Sequence, residues 1–248
     1  MSPRSLVRRG RAFLKTIPFR GRGRWCPICR RSSRRFRPYG NPPRSEAQCI
    51  HCRSLERDRF VWLLLNNDTE LFDGRARNVL HFAPERCLEP LLRQRLGARY
   101  RTADLGRDDV ELRLDVSDIQ LPDHSCDVII CSHVLEHVPD DRRAMQELHR
   151  ILAPDGWALI VVPIKGDVTF EDPTVVDPDE RLRVFGQRDH VRRYGPDIAD
   201  RLRSAGFDVE THRVSDAYSE SEVVRMGLRP PSRPVFTIKA GGRGAPAG

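Results

Sequence analysis

From Asn78 onward, short runs of apolar residues alternate with longer stretches in which apolar positions recur every three to four residues. The short runs, Asn78–Ala83, Arg99–Asp104, Glu111–Val116, Asp127–Ser132, Trp157–Val162, Phe207–His212 and Pro234–Lys239, predict strands. Several are apolar almost throughout, which implies burial on both faces and hence a parallel sheet. The periodic stretches predict helices over Arg86–Leu96, Asp140–Leu152 and Pro196–Ala205. In the Asp140 segment Ala144, Leu148, Ile151 and Leu152 share one face, and Pro154-Asp155-Gly156 ends it. Strands and helices in alternation make a doubly wound α/β fold with a mostly parallel sheet of about seven strands. The segment Ile164–Gly195 breaks the alternation, and a long aperiodic stretch inside such a domain predicts a lid.

Upstream the pattern is different. Ser54–Leu65 reads as a helix with Ser54 as its N-cap and Leu55, Phe60, Leu63 and Leu64 on its apolar face. Residues 25–53 are a small module with turn signals at Tyr39-Gly40 and Asn41-Pro42-Pro43. Residues 1–24, rich in Arg, Gly and Ser, read as a disordered arm with a short amphipathic turn around Leu6–Ile17. The expected organisation is an arm (1–24), a Cys module (25–53), an α/β domain (54–240) and a flexible tail (241–248).

The Cys module changes the picture most. Cys26-Pro-Ile-Cys29 and Cys49-Ile-His-Cys52 are two CxxC turns with 19 residues between them. Each turn sets two thiolates on one side of a tight loop, and two such turns supply the tetrahedral sulfur cage that Zn²⁺ prefers. A closed site of four ligands is structural and staples a module too small for its own core. Cys87, Cys126 and Cys131 fall in the α/β pattern and read as small buried apolar residues.

Charge adds an asymmetry. Residues 1–60 hold 17 Lys and Arg against 3 Asp and Glu, and the remainder 26 against 32. A basic N-terminal region can hold RNA, anionic headgroups or an acidic partner, although an Arg-rich chain also carries basic surface without function. No stretch approaches the roughly 20 apolar residues of a membrane span. The opening residues lack the apolar core of a secretory signal, so the expectation is a cytoplasmic protein whose cysteines stay reduced. Nothing in the sequence sets an oligomeric state.

The order of elements then locates a cofactor site. The first α/β strand runs into His81-Phe82-Ala83-Pro84-Glu85, the turn at which a doubly wound fold binds a nucleotide-like cofactor. The second strand ends at Asp104, about 20 residues on, the spacing with which an acid grips ribose hydroxyls. Leu114-Asp115-Val116 follows, with an acid to accept from an adenine amine and an apolar neighbour for the ring.

With Leu121–Pro139, including Ser132-His133-Val134-Leu135-Glu136-His137, and Glu147–Gly156, these motifs resemble the class I S-adenosylmethionine-dependent methyltransferases, within them the type-11 group. The resemblance covers residues 76–163 and implies a Rossmann-like fold with S-adenosyl-L-methionine as cofactor. It also implies that Asp104 holds the ribose, Asp115 and Val116 the adenine, and that Ser132 and His133 flank the methionine end. One departure is plain: the family's first turn is glycine-rich, and residues 81–87 contain no glycine. Glycine lets a backbone approach a ligand closely, so side chains must reshape this turn.

Methyl transfer is an in-line displacement, and an oxygen or nitrogen acceptor must lose a proton to a nearby base. The candidate bases are His190 and then His133, with Tyr194 and Asp189 orienting them, and His137 reads as packing at a helix start. Three functions compete. One is methylation of a small-molecule or saccharide-like acceptor, and another is methylation of RNA held by the basic arm and zinc module. The third is an inactive zinc-binding adaptor.

Overall fold

The structure is a computed structural model that describes residues 19–228 and 235–240. The Leu6–Ile17 turn, most of the N-terminal arm and the 241–248 tail lie outside the described residues. The chain forms two compact units: residues 71–213 with the final strand make one, and the Cys module with the following helix and residues 214–228 make the other.

The Cys unit begins with two antiparallel hairpins, β1 (Arg24–Cys26) with β2 (Arg31–Ser33) and β3 (Arg37–Tyr39) with β4 (Arg44–Gln48). Helix α1 (Glu56–Asn67) follows. Asp58, rather than Ser54, caps it by accepting from Leu55 N at 2.8 Å. Ser54 faces the cysteines instead, because its Oγ lies 3.2 Å from Cys52 Sγ and 3.4 Å from Cys26 Sγ. The apolar face of α1 buries Phe60, Val61, Leu64 and Leu65 within this unit, although its sequence reads as the start of the α/β domain.

The α/β unit holds a seven-stranded sheet. Its strands in chain order are β5 (Val79–Phe82), β6 (Tyr100–Asp104), β7 (Leu112–Arg113), β8 (Cys126–Ser132), β9 (Leu152–Val161), β12 (Phe207–His212) and β13 (Val235–Ala240). The spatial order is β12-β13-β9-β8-β5-β6-β7. Five strands, β7 to β9 through β6, β5 and β8, are parallel, and β13 is antiparallel to both neighbours. The Glu111–Val116 run yields only the two-residue β7, because Leu114 N already bonds Asp104 O and Asp115 turns away.

Helices α2 (Glu89–Leu96), α3 (Asp141–Ile151) and α5 (Ile198–Ser204) match the predicted ones to within three residues. Asp140 caps α3 by accepting from Arg143 N at 2.9 Å, and Ala144, Met145, Leu148 and Ile151 bury its inner face. The core between sheet and helices is apolar, with Ile129, Ile130, Ala158, Leu159 and Ile160 fully buried. The segment predicted as a lid folds into a two-stranded hairpin, β10 (Phe170–Glu171) with β11 (Arg192–Arg193), closing over helix α4 (Pro178–Phe185).

Chain direction in the sheet reverses its winding between β5 and β8, the neighbours at which the order switches from one side to the other. In open α/β sheets the crevice at the carboxyl ends of such strands takes the ligand.

Candidate functional site

A cleft of about 440 Å³ lies at that crevice. Phe82 and Ala83 after β5, Asp104 and Leu105 after β6, Leu114 to Ser117, His133 and Val134 after β8, His137 to Pro139, and Asp189 line it. Of the predicted cofactor-site residues, Phe82, Ala83, Asp104, Asp115, Val116 and His133 meet in this wall. The other four, His81, Pro84, Glu85 and Ser132, do not line the cleft; they build the turn behind it.

That turn shows how a glycine-free sequence makes the bend. Ala83 takes φ 48°, the left-handed region, while its N–H donates to Ala103 O at 2.8 Å. The fully buried His81 spans Tyr100 Oη (2.7 Å) and Glu85 Oε2 (2.9 Å), and Arg107 Nη1 donates to Pro84 O at 2.8 Å. Burial pushes the Glu85 carboxyl up, but the His81 hydrogen bond and charge, with Ser132, outweigh it and hold the group below its ordinary value. A hydrogen-bonded set of side chains thus fixes a bend that glycine elsewhere permits by conformational freedom alone. Ala83→Gly is expected to leave stability within about 1 kcal/mol, since relieved strain offsets added chain entropy. Ala83→Val, with a β-branched side chain in the left-handed region, is expected to cost about 1–3 kcal/mol by urea unfolding.

The two cleft acids are built alike. Asp104 Oδ1 accepts from Gly106 N (2.8 Å) and Arg107 N (3.0 Å), and Asp115 Oδ1 accepts from Ser117 N (2.8 Å) and Ser117 Oγ (2.7 Å). In each, one oxygen fixes the loop and Oδ2 is left for a ligand. Leu105, half exposed beside Asp104, adds apolar surface that the sequence pattern did not single out.

At the other end of the cleft His133 stands in a left-handed backbone (φ 57°), with its N–H donating to Val161 O at 2.8 Å. Its Nδ1 lies 2.8 Å from Oε1 of the fully buried Glu136. Burial raises the Glu136 carboxyl, and the hydrogen bond and charge of His133 outweigh that and bring it below the ordinary value. An ionised carboxylate only accepts, so Nδ1 carries the proton, and in the neutral form of the ring Nε2 is then the acceptor.

The predicted order of bases therefore changes. His190 is 1% exposed and does not line the cleft; its ring packs edge-on against His137 with centroids 4.7 Å apart. Burial lowers its pKa to about 4. Tyr194 is also removed from the cleft, fully buried in the core, with its hydroxyl donating to Asp141 at 2.7 Å. Asp189 does reach the cleft wall, paired with His137 at 3.3 Å. His137 lines the cleft too, where the sequence suggested only packing. The loop that carries it is clamped by the buried Arg192, which donates to Leu135 O (2.9 Å), Val138 O and Pro139 O (2.8 Å).

In the Cys unit, Sγ atoms of Cys26, Cys29, Cys49 and Cys52 lie within 4.8 Å of one another. The two CxxC turns are copies: Arg30 N donates to Cys26 O (2.8 Å) and Arg53 N to Cys49 O (3.0 Å), with φ 54° and 64°. Hydrogen bonds from Cys29, Cys49 and Cys52 favour the Cys26 thiolate. Beneath them Arg59 is fully buried and donates to Ser54 O (2.7 Å), Ala47 O (3.0 Å) and Gly227 O (2.6 Å), its guanidinium stacked 4.4 Å from the Phe36 ring. Burial disfavours its charge, and the Cys26, Glu56 and Cys49 charges oppose that.

Among known proteins, residues 78–160 match a family model described as a methyltransferase domain. A stretch of 114 residues is 30% identical to a probable S-adenosylmethionine-dependent methyltransferase of Mycolicibacterium smegmatis, taking in 46% of this chain and 38% of that protein. Among solved structures, a SAM-dependent methyltransferase from Archaeoglobus fulgidus superposes with a TM-score of 0.50 at 17% identity, over 75% of this chain and 95% of that one. One from Mesorhizobium loti does so at 0.50 and 15% identity, over 71% and 96%. The α/β unit of this chain thus has a Rossmann-like fold shared with these methyltransferase structures, and residues 78–160 are the part that resembles a methyltransferase domain.

Proposed function

We propose that this chain is an S-adenosylmethionine-dependent methyltransferase that methylates an oxygen or nitrogen of a small, saccharide-like acceptor. The observation that carries this reading is the pair Asp104 and Asp115. Each has one carboxylate oxygen spent on its own loop and the other left for a ligand, in a cleft at the switch point of the sheet. Asp104 would hold the ribose hydroxyls and Asp115 the adenine amine, with Leu105 and Val116 against the ring.

Bound S-adenosylmethionine supplies an electrophilic methyl group on a sulfonium whose sulfur departs with the C–S electron pair. Phe82, Ala83 and Val134 would orient the cofactor tail and exclude water. His133 Nε2 would take the proton that the acceptor loses, with Glu136 stabilising the charged ring from behind. His190 and Tyr194 take no direct part in the proton transfer, and Asp189 with His137 forms the acceptor end of the wall.

The Cys unit fits structural zinc. Four convergent sulfurs make the donor set, and the two negative charges of a zinc tetrathiolate would offset the buried guanidinium of Arg59. A cytoplasmic setting, where thiols stay reduced, suits such a site.

RNA as acceptor draws support from one surface feature of the α/β unit: Arg75, Arg77, Arg95 and Arg99 surround a recess beside Phe72. Phosphate contacts of this kind weaken steeply with salt.

Isothermal calorimetry of zinc-loaded protein is expected to show one S-adenosylmethionine bound per chain. Folded protein that binds none overturns the enzyme reading in favour of an adaptor. A salt-sensitive gel shift with RNA, together with methylated RNA from labelled cofactor, would replace the small acceptor by RNA.

A further inference from the structure

The acceptor end of the cleft holds a group of side chains of which methyl transfer uses only Glu136, and that through His133. Glu136, His137 and His190 bring one ligand atom each to within 4.8 Å of one another. Glu136 and His137 are neighbours in the one-turn helix Leu135–His137. His190 reaches them because Val191 N donates to Glu136 O at 3.0 Å, which pins the chain beside that turn.

Two polar atoms in this group are buried with no hydrogen-bond partner, Glu136 Oε2 and His190 Nε2. Their residues are 0% and 1% exposed. A buried carboxylate oxygen and a buried imidazole nitrogen are each costly when left unsatisfied, and the two residues that carry them belong to one cluster. His137, a third exposed and in the cleft wall, directs Nδ1 to Asp189. That hydrogen bond makes Nε2 the available ligand atom and is the orienting contact that a metal-bound histidine ordinarily has.

We propose that Glu136, His137 and His190 bind a divalent first-row transition ion at the acceptor end of the cleft. Two imidazoles and one carboxylate suit Zn²⁺, Co²⁺, Fe²⁺ or Mn²⁺ and leave coordination positions open. Metal–ligand bonds of about 2.1 Å bring tetrahedral donors to roughly 3.4 Å from one another, so the His137 ring closes inward on loading. His137 borders the cleft, so an ion held there would take from it an acceptor with two adjacent oxygen donors, such as a vicinal diol. The role of the ion rests on the methyltransferase reading above; its binding does not.

Full-length protein stripped of metal and titrated with Co²⁺ tests this. Two equivalents are expected. One shows the intense thiolate-to-cobalt charge-transfer band of the four-cysteine site, and the other only weak visible bands of nitrogen and oxygen ligation. His190→Ala and Glu136→Gln are expected to lose the second equivalent, with affinity down at least about tenfold, and to keep the first. His137→Ala, at a partly exposed position, gives the same readout should the buried variants fail to fold.

A single thiolate-type equivalent, or a second one that all folded variants retain, overturns the proposal. Calorimetry with S-adenosylmethionine separates the two readings: cofactor binding without a second metal leaves the methyltransferase standing and removes the ion. A second metal without cofactor binding does the reverse.

Discussion

Cys49→Ser is expected to abolish thiolate-bound zinc and to unfold the Cys unit while the α/β unit keeps its secondary structure. Cys49 Sγ is fully buried, lies 3.8 Å from Cys29 Sγ and accepts from His51 N at 3.4 Å. Structural zinc contributes about 10–16 kcal/mol of apparent folding free energy to small modules, comparable to the entire stability of an ordinary domain. The hairpins β1–β2 and β3–β4 are short, so little else holds them. Loss of the metal also removes the fixed thiolate charge that offsets the burial of Arg59 and leaves only Glu56 and Asp58 to oppose it. Hydrogen exchange should then lose protection across 24–67 and 214–228 together. Wild-type protein treated with a strong chelator should behave the same way. Protection that survives complete metal removal would rule out a zinc staple.

Asp104→Ala is expected to weaken S-adenosylmethionine binding on the order of 100-fold by calorimetry, because two hydrogen bonds to a charged acceptor are worth about 1.5–3 kcal/mol each. The same change removes the acceptor for Gly106 N and Arg107 N, so loop disorder could mimic the result. Asp104→Asn separates the two effects: its amide oxygen still serves the loop, while the charge and the second acceptor are gone. A loss of roughly tenfold is expected there. Equal affinity in wild type and both variants would remove Asp104 from the ribose.

The α/β fold was legible because its strands are continuous apolar runs and its helices carry a 3.6-residue stripe. The place of Asp104 and Asp115 in the cleft wall was legible as well, since the crevice of this topology lies beyond the carboxyl ends of the strands. The polar segment around His190 and Tyr194 was not. Density of titratable side chains says nothing about which way they turn, and here β11 and the clamp of Arg192 turn both inward. His137 went the other way, because a one-turn helix offers no periodicity to reveal its exposed side. Ser54 looks like a helix cap by residue type, yet the thiols compete for its hydroxyl and Asp58 takes over the cap. Assignment of α1 to the Cys unit depends on Arg59 meeting Gly227, 168 positions away, a pairing no local pattern carries. Gly227 suits that contact twice over: φ is 60°, and a Cβ there would meet the Phe36 ring at 2.6 Å.

That last pairing bears on synthesis. The four cysteines and α1 leave the ribosome within the first 70 residues, but the carbonyl of Gly227 that completes the cradle of Arg59 follows only after almost the whole α/β unit has been made. The Cys unit is therefore begun before the α/β unit and completed only shortly before β13 is made. Until then its buried guanidinium lacks one acceptor, and metal capture by the thiols can precede the closing of the unit by the time needed to translate some 160 residues, on the order of 10 s. A nascent chain halted before residue 220 should hold zinc yet expose α1 to protease, and one released past residue 228 should protect it.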